Sequence, residues 1–131
     1  MTFLFDTDMC VYWLRGRTSV RDRIIAVGPQ ALSISIITLA ELRYGAASST
    51  QPDTNHLAID SFTSAISILG VDAAIARSFG DLKAALRRAG MLLEDFDLII
   101  AATARTYNLT LVTSNIAHFS RVPGLQLENW A

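Results

Sequence analysis

The sequence predicts an α/β fold in which helices pack against a mainly parallel β-sheet. Short apolar runs at residues 3–5, 31–37 and 110–113 are aromatic or β-branched, which is typical of buried strands. Longer segments between these runs carry apolar residues at helical spacing, the longest at 73–89. Strands that alternate with helices favour parallel pairing, because the helices supply the crossover connections.

The other elements follow from apolar spacing and turn residues. Two more strands are predicted, a third in chain order at 66–71 and a possible fifth, at the sheet edge, at 125–127. Helices are predicted at residues 8–15, 20–27, 38–44, 56–65, 73–89 and 95–107, and residues 114–119 form a turn or a short helix.

Residues with short polar side chains mark several helix starts. Thr18 and Ser19 are predicted to cap the second helix, and Asp72 the long helix at 73–89. Thr38 and Glu41 have the spacing of a capping box for the third helix. The polar stretch 48–55 is predicted to be a flexible loop.

Composition indicates one domain, residues 1–131, with a substantial apolar core. Apolar residues make up 51% and charged residues 18%, so apolar surface is expected to enter the core or an interface. Membrane insertion is not expected, because no apolar run approaches the roughly 18 residues of a span. The single cysteine, Cys10, is expected to be a buried apolar residue in a cytoplasmic protein.

Acidic residues lie where predicted strands end and the following helices begin. Asp6, Thr7 and Asp8 follow the first strand, and Glu41 and Asp97 occupy comparable positions later in the chain. Open α/β sheets place their chemistry at the carboxyl ends of the strands. We therefore expect these carboxylates to converge on a divalent metal ion that supports phosphodiester hydrolysis.

Each of these residues also has a structural explanation. Asp6 would accept helix N–H groups, Asp8 would cap the first helix, and Glu41 would complete the capping box. Asp97 would favour the dipole of its helix, although Glu94, Asp95 and Asp97 together exceed what a cap requires. Two further candidates, Thr113 and Ser114, follow the fourth strand and fit turn roles as well as binding a water or substrate.

The available ligands favour Mg²⁺ or Mn²⁺ over zinc, because they are hard oxygen donors. His56 and His118 lie far apart and lack metal spacing; His56 is expected at the surface on the loop side of its helix, and His118 beside Phe119. If six acids surround the metal, the remainder carries eleven basic and six acidic residues and suits a polyanion. The candidate substrate-binding bases are Arg15, Arg17, Arg21, Arg23 and Arg43, with Lys83, Arg87 and Arg88 as a second basic face.

Four blocks of the sequence resemble, in order, the conserved blocks of a PIN domain: FLFDTDMCVYWL, ITLAELRYGA, EDFDLIIAATA and LTLVTSNIAHFSRVPGLQLENW. The closing SRVPGLQLENW resembles VapC-type toxins of bacterial toxin–antitoxin pairs. The resemblance covers essentially the whole chain. It implies a PIN-like three-layer α/β/α sandwich with a four- or five-stranded sheet, and a Mg²⁺- or Mn²⁺-dependent endoribonuclease acting on tRNA or another structured RNA.

Carried over residue by residue, the family's acidic positions fall on Asp6, Glu41 and Asp97. Asn115 stands at the fourth position, where relatives often have Asp, so it implies a weaker ligand without charge. Asp8 stands where many relatives have Asn and would restore some of that charge. These substitutions favour one well-held metal ion over two.

The resemblance also implies partners. A VapB-type antitoxin is expected to cover an apolar groove near the first helices, and the chain is expected to form homodimers and larger assemblies with the antitoxin. Thr7 and Arg43 join Thr113 and Ser114 as candidate substrate contacts.

Two other functions are compatible with parts of the sequence. Asp6-Thr7-Asp8 fits the nucleophile motif of haloacid-dehalogenase-type phosphatases, but the lysine and the later paired aspartates of that class are not matched. A PIN-like module that only binds RNA or protein is left open by Asn115, while Asp6, Glu41 and Asp97 argue against it.

Overall fold

The computed structural model describes residues 2–131 and shows a parallel sheet of five strands. The strands are β1 (Phe3–Phe5), β2 (Leu32–Ser35), β3 (Ser67–Leu69), β4 (Thr110–Val112) and β5 (Leu127–Glu128). Their order is β3-β2-β1-β4-β5, and each neighbouring pair is parallel. After β1 the chain adds β2 and β3 on one side of β1, and then β4 and β5 on the other side. The topological switch point of the sheet therefore lies beside β1.

Seven α-helices surround this sheet in the described part of the chain. They are α1 (Thr7–Leu14), α2 (Thr18–Val27), α3 (Ile36–Ala47), α4 (Pro52–Thr63), α5 (Ala73–Arg88), α6 (Asp95–Thr106) and α7 (Ile116–Phe119). Among residues 2–131 no helix is long and apolar enough to cross a membrane.

The core lies in two layers, one on each face of the sheet. Leu4 points to a cluster with α5 and α6, whereas its neighbour Phe5 points to a cluster with α1 to α4. This division follows from the alternation of side chains along a strand. The prediction of a three-layer α/β/α sandwich is confirmed.

The central strands are in register at their carboxyl ends. Phe5 of β1 lies opposite Ile34 of β2 and Val112 of β4. Residues that follow these strands therefore meet at one edge of the sheet. Asp6, the start of α3 and Thr113 all lie at this edge.

The boundary between β2 and α3 differs from the prediction. β2 ends at Ser35, and the Ser35 hydroxyl caps α3 by accepting a hydrogen bond from the Ile37 N–H (3.1 Å). The predicted capping box of Thr38 and Glu41 is therefore wrong. The serine ends the strand two residues early because its side chain satisfies a free N–H of the helix.

The starts of three other helices also differ. Asp6, not Asp8, is the N-cap of α1, and Thr18 and Ser19 lie inside α2, whose N-cap Arg17 makes no side-chain cap. α4 begins at Pro52, inside the predicted loop, because proline fits the first helical turn. His56, predicted as the first residue of this helix, therefore lies in its second turn.

The predictions at β1 and α5 are confirmed. β1 covers residues 3–5, and Asp72 caps α5 by accepting from the Ile75 N–H (2.8 Å). The predicted fifth strand also exists as a parallel edge strand, at Leu127–Glu128 instead of 125–127. The single cysteine, Cys10, is fully buried in the core, as predicted.

Candidate active site

Asp6 is fixed by the transition from β1 to α1. Its backbone N–H donates to the Val112 carbonyl of the neighbouring strand (3.1 Å). Its carboxylate Oδ1 accepts from the Met9 N–H (2.9 Å), which caps α1. The structural explanation of Asp6 as a cap is thus correct, and the same contacts aim the carboxyl group at the switch point of the sheet.

Burial shifts the pKa of the Asp6 carboxyl group. The residue is 5% exposed, and desolvation raises the pKa of its carboxyl group to about 6. The Thr113 side chain and the Met9 N–H lower this pKa, whereas the negative charges of Asp8 and Asp97 raise it. An ionised Asp6 is therefore unfavourable by itself and would be stabilised by a bound cation.

Glu41 is joined to the strand end through Thr7. The Thr7 hydroxyl, one residue after Asp6, donates to Glu41 Oε1 (2.6 Å) and lies 3.3 Å from the Thr38 hydroxyl. Glu41 lies in the second turn of α3 and makes no cap. The structure therefore places Glu41 in contact with Thr7, the residue that directly follows Asp6.

Asp97 lies in the first turn of α6 and is half-buried. Its Oδ2 is 3.0 Å from His118 Nε2. The His118 ring also packs edge-on against Phe119, as predicted, with 5.1 Å between centroids. The contact with Asp97 was not predicted from the sequence, because only the spacing between His118 and His56 was considered. Its position on the helix after β4, at the same sheet edge as Asp6, is the signal that identifies it.

The segment after β4 contributes a buried hydroxyl. Thr113 is fully buried, and its Oγ1 accepts from the Asn115 N–H (2.9 Å) besides interacting with the Asp6 carboxyl group. Asn115 is exposed at the start of α7, and Ser114 is half-buried. Neither side chain is hydrogen-bonded to another residue of the described range, so their roles as ligand and substrate contact stay predictions.

Several candidate bases are held elsewhere. Arg43 binds Asp60 and His56 of α4, so its guanidinium faces that helix. Arg23 pairs with Glu128 (3.0 Å) and Arg17 stacks over Tyr12.

The acidic residues do not all gather at the site. Asp95 pairs with Lys83 of α5 (2.9 Å), so the condition that six acids surround one metal is not met. Glu94 is exposed at the N-cap of α6 without a side-chain cap. The acids linked at the sheet edge are Asp6 and Asp97, with Asp8 nearby and Glu41 held by Thr7.

The donor set fits a hard divalent cation. Within residues 2–131 no three His, Cys, Asp or Glu side chains are close enough to bind a metal ion on their own. Mg²⁺ commonly binds to one or two carboxylates and completes its shell with water and substrate oxygens. Asp6 and Asp97 offer two such carboxylates, and they are near enough that the charge of Asp97 raises the pKa of Asp6.

Two clefts open beside Thr7 and Glu41. One, of about 330 Å³, lies between α1, α3 and α4 and has mainly apolar walls, with Arg15 among the residues that line it. The other, also about 330 Å³, is lined by Thr7, Glu41 and the largely exposed rings of Tyr44 and Phe96. Fold and site together define a parallel α/β protein with an acidic centre at the switch point of its sheet.

Comparison with known proteins agrees with this class. A PIN-domain family profile matches residues 3–125. The chain is 39% identical over 132 residues to the tRNA(fMet)-specific endonuclease VapC of Shigella flexneri, covering 100% of this chain and 99% of that protein. It is 35% identical to ribonuclease VapC2 of Rickettsia felis, with coverage of 99% and 98%. The chain belongs to the PIN-domain family and to its VapC group.

Solved structures show the same relationship. VapBC2 from Rickettsia felis bound to a DNA fragment from its promoter contains a chain with a TM-score of 0.92 and 35% identity, and both chains are covered completely. DNA-bound VapBC from Salmonella typhimurium gives a TM-score of 0.95 and 32% identity, with coverage of 100% and 99%. The resemblance inferred from the four sequence blocks is confirmed, and the phosphatase alternative is not favoured.

Proposed function

We propose that the protein is a Mg²⁺- or Mn²⁺-dependent endoribonuclease and the toxin of a VapBC-type toxin–antitoxin pair in the bacterial cytoplasm. Its substrate is tRNA or another structured RNA. The observation that carries the proposal is the buried Asp6 carboxyl group, whose pKa is raised in part by Asp97, at the switch point of the sheet. Relatives named as VapC endonucleases and ribonucleases support the reaction class.

Asp6 and Asp97 are the residues that would hold the metal, with Glu41 as a further predicted ligand and Asp8 and Asn115 as weaker candidates. A bound divalent cation supplies positive charge that polarises a phosphoryl oxygen and stabilises the charge that develops on it. The Met9 N–H and Thr113 keep the Asp6 carboxyl group oriented. The contact with His118 does the same for Asp97.

Glu41 is the acid beside the metal-binding pair, and Thr7 determines where its carboxylate points. The hydrogen bond from Thr7 fixes Oε1, while Oε2 accepts no hydrogen bond from residues 2–131, so Oε2 is the oxygen that would accept a proton or a hydrogen bond from an attacking water. Because Thr7 directly follows Asp6, the water and the scissile phosphate would be aligned by groups anchored on the same strand end.

The cleft lined by Tyr44 and Phe96 offers aromatic surface next to Glu41. RNA is recognised mostly at unpaired regions, where bases leave the stack and pack on aromatic side chains. A nucleotide next to the scissile bond would find such a surface here. Ser114, at the end of β4, is a further candidate contact.

The cleft between α1, α3 and α4 is the proposed antitoxin site. It lies against Thr7 and Glu41, so a segment bound there would reach the acidic centre. The two similar solved structures are VapBC complexes, which supports a partner of this kind. Homodimerisation, as inferred from the family resemblance, is part of the same proposal.

Cleavage of labelled total RNA by the antitoxin-free protein tests the nuclease. We expect discrete fragments with Mg²⁺ or Mn²⁺, none with EDTA, and none with Asp6→Asn or Asp97→Asn. Asp22→Asn, an exposed acid in the middle of α2, serves as a matched control and should cleave like wild type.

The failure of wild type to cleave with either metal would contradict the nuclease. If the same folded protein still bound RNA, the non-catalytic binding module would replace it. Cleavage that survives Asp97→Asn would place the active site elsewhere.

A further inference from the structure

A groove of about 660 Å³ runs along α5 and is closed by the end of α6 and the segment after α7. Leu82 and Leu86 are among its apolar lining, and three arginines also line it: Arg77, Arg105 and Arg121. Asp81 is the one acid among the described residues of this lining. The groove thus carries a positive excess in a chain whose net charge is −1.

The three guanidinium groups are available to a ligand. The pair of Arg77 with Asp81 is 3.4 Å long, with both side chains more than two-thirds exposed, so it contributes little. Arg105 is exposed and forms no ion pair with any residue from 2 to 131. Arg121 donates one N–H to the Leu92 carbonyl (3.1 Å) and keeps its other donors.

The groove lies within reach of the acidic centre. Arg105 comes eight residues after Asp97 on α6, which corresponds to about 12 Å along the helix axis. Arg121 comes three residues after His118, whose ring contacts Asp97. A polymer bound at Asp97 would therefore extend along the groove, whereas a single phosphate or nucleotide would not span both places.

We propose that this arginine groove binds the phosphate backbone of the RNA substrate away from the scissile bond. The proposal rests on the proposed function, since it extends the same substrate beyond the acidic centre. Guanidinium groups match phosphate oxygens with two parallel hydrogen bonds, and spaced arginines suit successive phosphates. RNA is favoured over an acidic protein segment because one RNA chain accounts for the groove and the acidic centre together.

RNA binding in EDTA tests the groove without cleavage. The full chain is titrated into a fluorescein-labelled RNA hairpin of about 20 base pairs at several KCl concentrations. The test variant is Arg77→Gln/Arg105→Gln. The control, matched in charge, is Arg87→Gln/Arg88→Gln on the second basic face, which the sequence also offered as a substrate surface, so the pair of variants decides which of the two faces binds RNA.

We expect the groove variant to bind roughly tenfold more weakly at low salt and the control less than about twofold. Loss of two phosphate contacts should also reduce the slope of log K against log salt by about 1.5. With Mg²⁺ present, KM should rise while kcat stays unchanged, since the contacts act equally before and during the reaction.

Equal losses in both double variants would overturn the proposal, because they would reflect general charge. A larger loss of RNA affinity in the control would show that RNA binds on the other side of α5 and would overturn the proposal. Unchanged RNA binding with weaker antitoxin binding would make the groove a protein site. Absence of cleavage by wild type contradicts the nuclease alone, since the binding test in EDTA does not depend on it.

Discussion

At the scale of single residues, Asp6 shows how this site is made at the expense of stability. A carboxyl group at a buried strand end is desolvated, and its neighbours Asp8 and Asp97 add like charge. Functional sites are where proteins tolerate such unfavourable groups. Asp6 therefore links activity and stability through one ionisation.

Asp6→Asn is expected to abolish cleavage and to raise the stability of the metal-free protein at pH 7.5 by up to about 3 kcal/mol. The folded pKa of about 6 lies above the ordinary value of about 4, so folding of the wild type opposes ionisation. The contribution of Asp6 to wild-type stability is present below pH 4 and is lost as the pH rises through 6. Urea unfolding in EDTA across this range measures it.

The advantage of Asp6→Asn should therefore shrink below pH 6 and vanish near pH 4. Asp22→Asn, at an exposed position, should show no such dependence. An Asp6→Asn protein that is less stable than wild type at pH 7.5 would contradict this account of the site.

His118 is expected to position Asp97. His118→Ala removes the contact at Asp97 Oδ2 and should lower cleavage roughly tenfold, with more metal needed for half-maximal rate. His118→Gln keeps an N–H donor and should recover most of the activity. Metal titration of the cleavage rate separates the two variants, and thermal unfolding checks that both fold. Equal losses in both would assign His118 to packing against Phe119 alone.

At the scale of elements, caps explain which helix starts were predicted correctly. Asp72 precedes α5 with no competing polar residue nearer the helix, and it caps as predicted. Before α3 the strand itself contains serines, and Ser35, not the predicted Thr38, is the N-cap of this helix. The earlier start of α3 moves Glu41 into its second turn, where Thr7 can reach it.

Asp72→Ala should destabilise the protein by about 1 to 2 kcal/mol without changing kcat at low temperature. The substitution removes the cap of α5 and the hydrogen bond that Asp72 accepts from the Tyr107 hydroxyl. Urea unfolding at pH 7 measures the loss. Asp53→Ala, an exposed acid in the first turn of α4, makes no cap and should cost less. Equal costs would mean that helix dipoles, not the cap, stabilise these helices.

At the scale of the whole molecule, apolar surface remains after the core is formed. Val11 and Leu14 of α1 stay partly exposed where they line the cleft between α1, α3 and α4. The sequence predicted that apolar excess would enter a core or an interface. The antitoxin proposed for this cleft would cover this surface.

Ala58→Trp is expected to weaken inhibition by the antitoxin roughly tenfold and to leave antitoxin-free cleavage unchanged. Ala58 is exposed on the α4 wall of the cleft, so a large ring there would fill the space that a partner segment needs. Antitoxin titration of the cleavage rate measures the effect. Ala84→Trp, at an exposed position on α5, is the matched control. Inhibition that is unchanged by Ala58→Trp would place the antitoxin elsewhere.

The sequence by itself determined the strand-and-helix alternation, the buried strand Phe3–Phe5, the cap at Asp72 and the family. These features depend on local spacing or on residues that follow one another, so they can be predicted from the sequence without knowledge of the tertiary structure. It also indicated that Asp6, Glu41 and Asp97 belong to one edge, because parallel strands bring their carboxyl ends together.

Only the tertiary structure decided the partners of the side chains. Thr7 and Glu41 are 34 residues apart and His118 and Asp97 are 21 apart, so their contacts depend on strand order and register. The same packing directs Arg43 to α4 and pairs Asp95 with Lys83, which removes them from the site. The number of charged residues can be read from the sequence. Which residue of opposite charge neutralises each of them depends on distances in the folded structure.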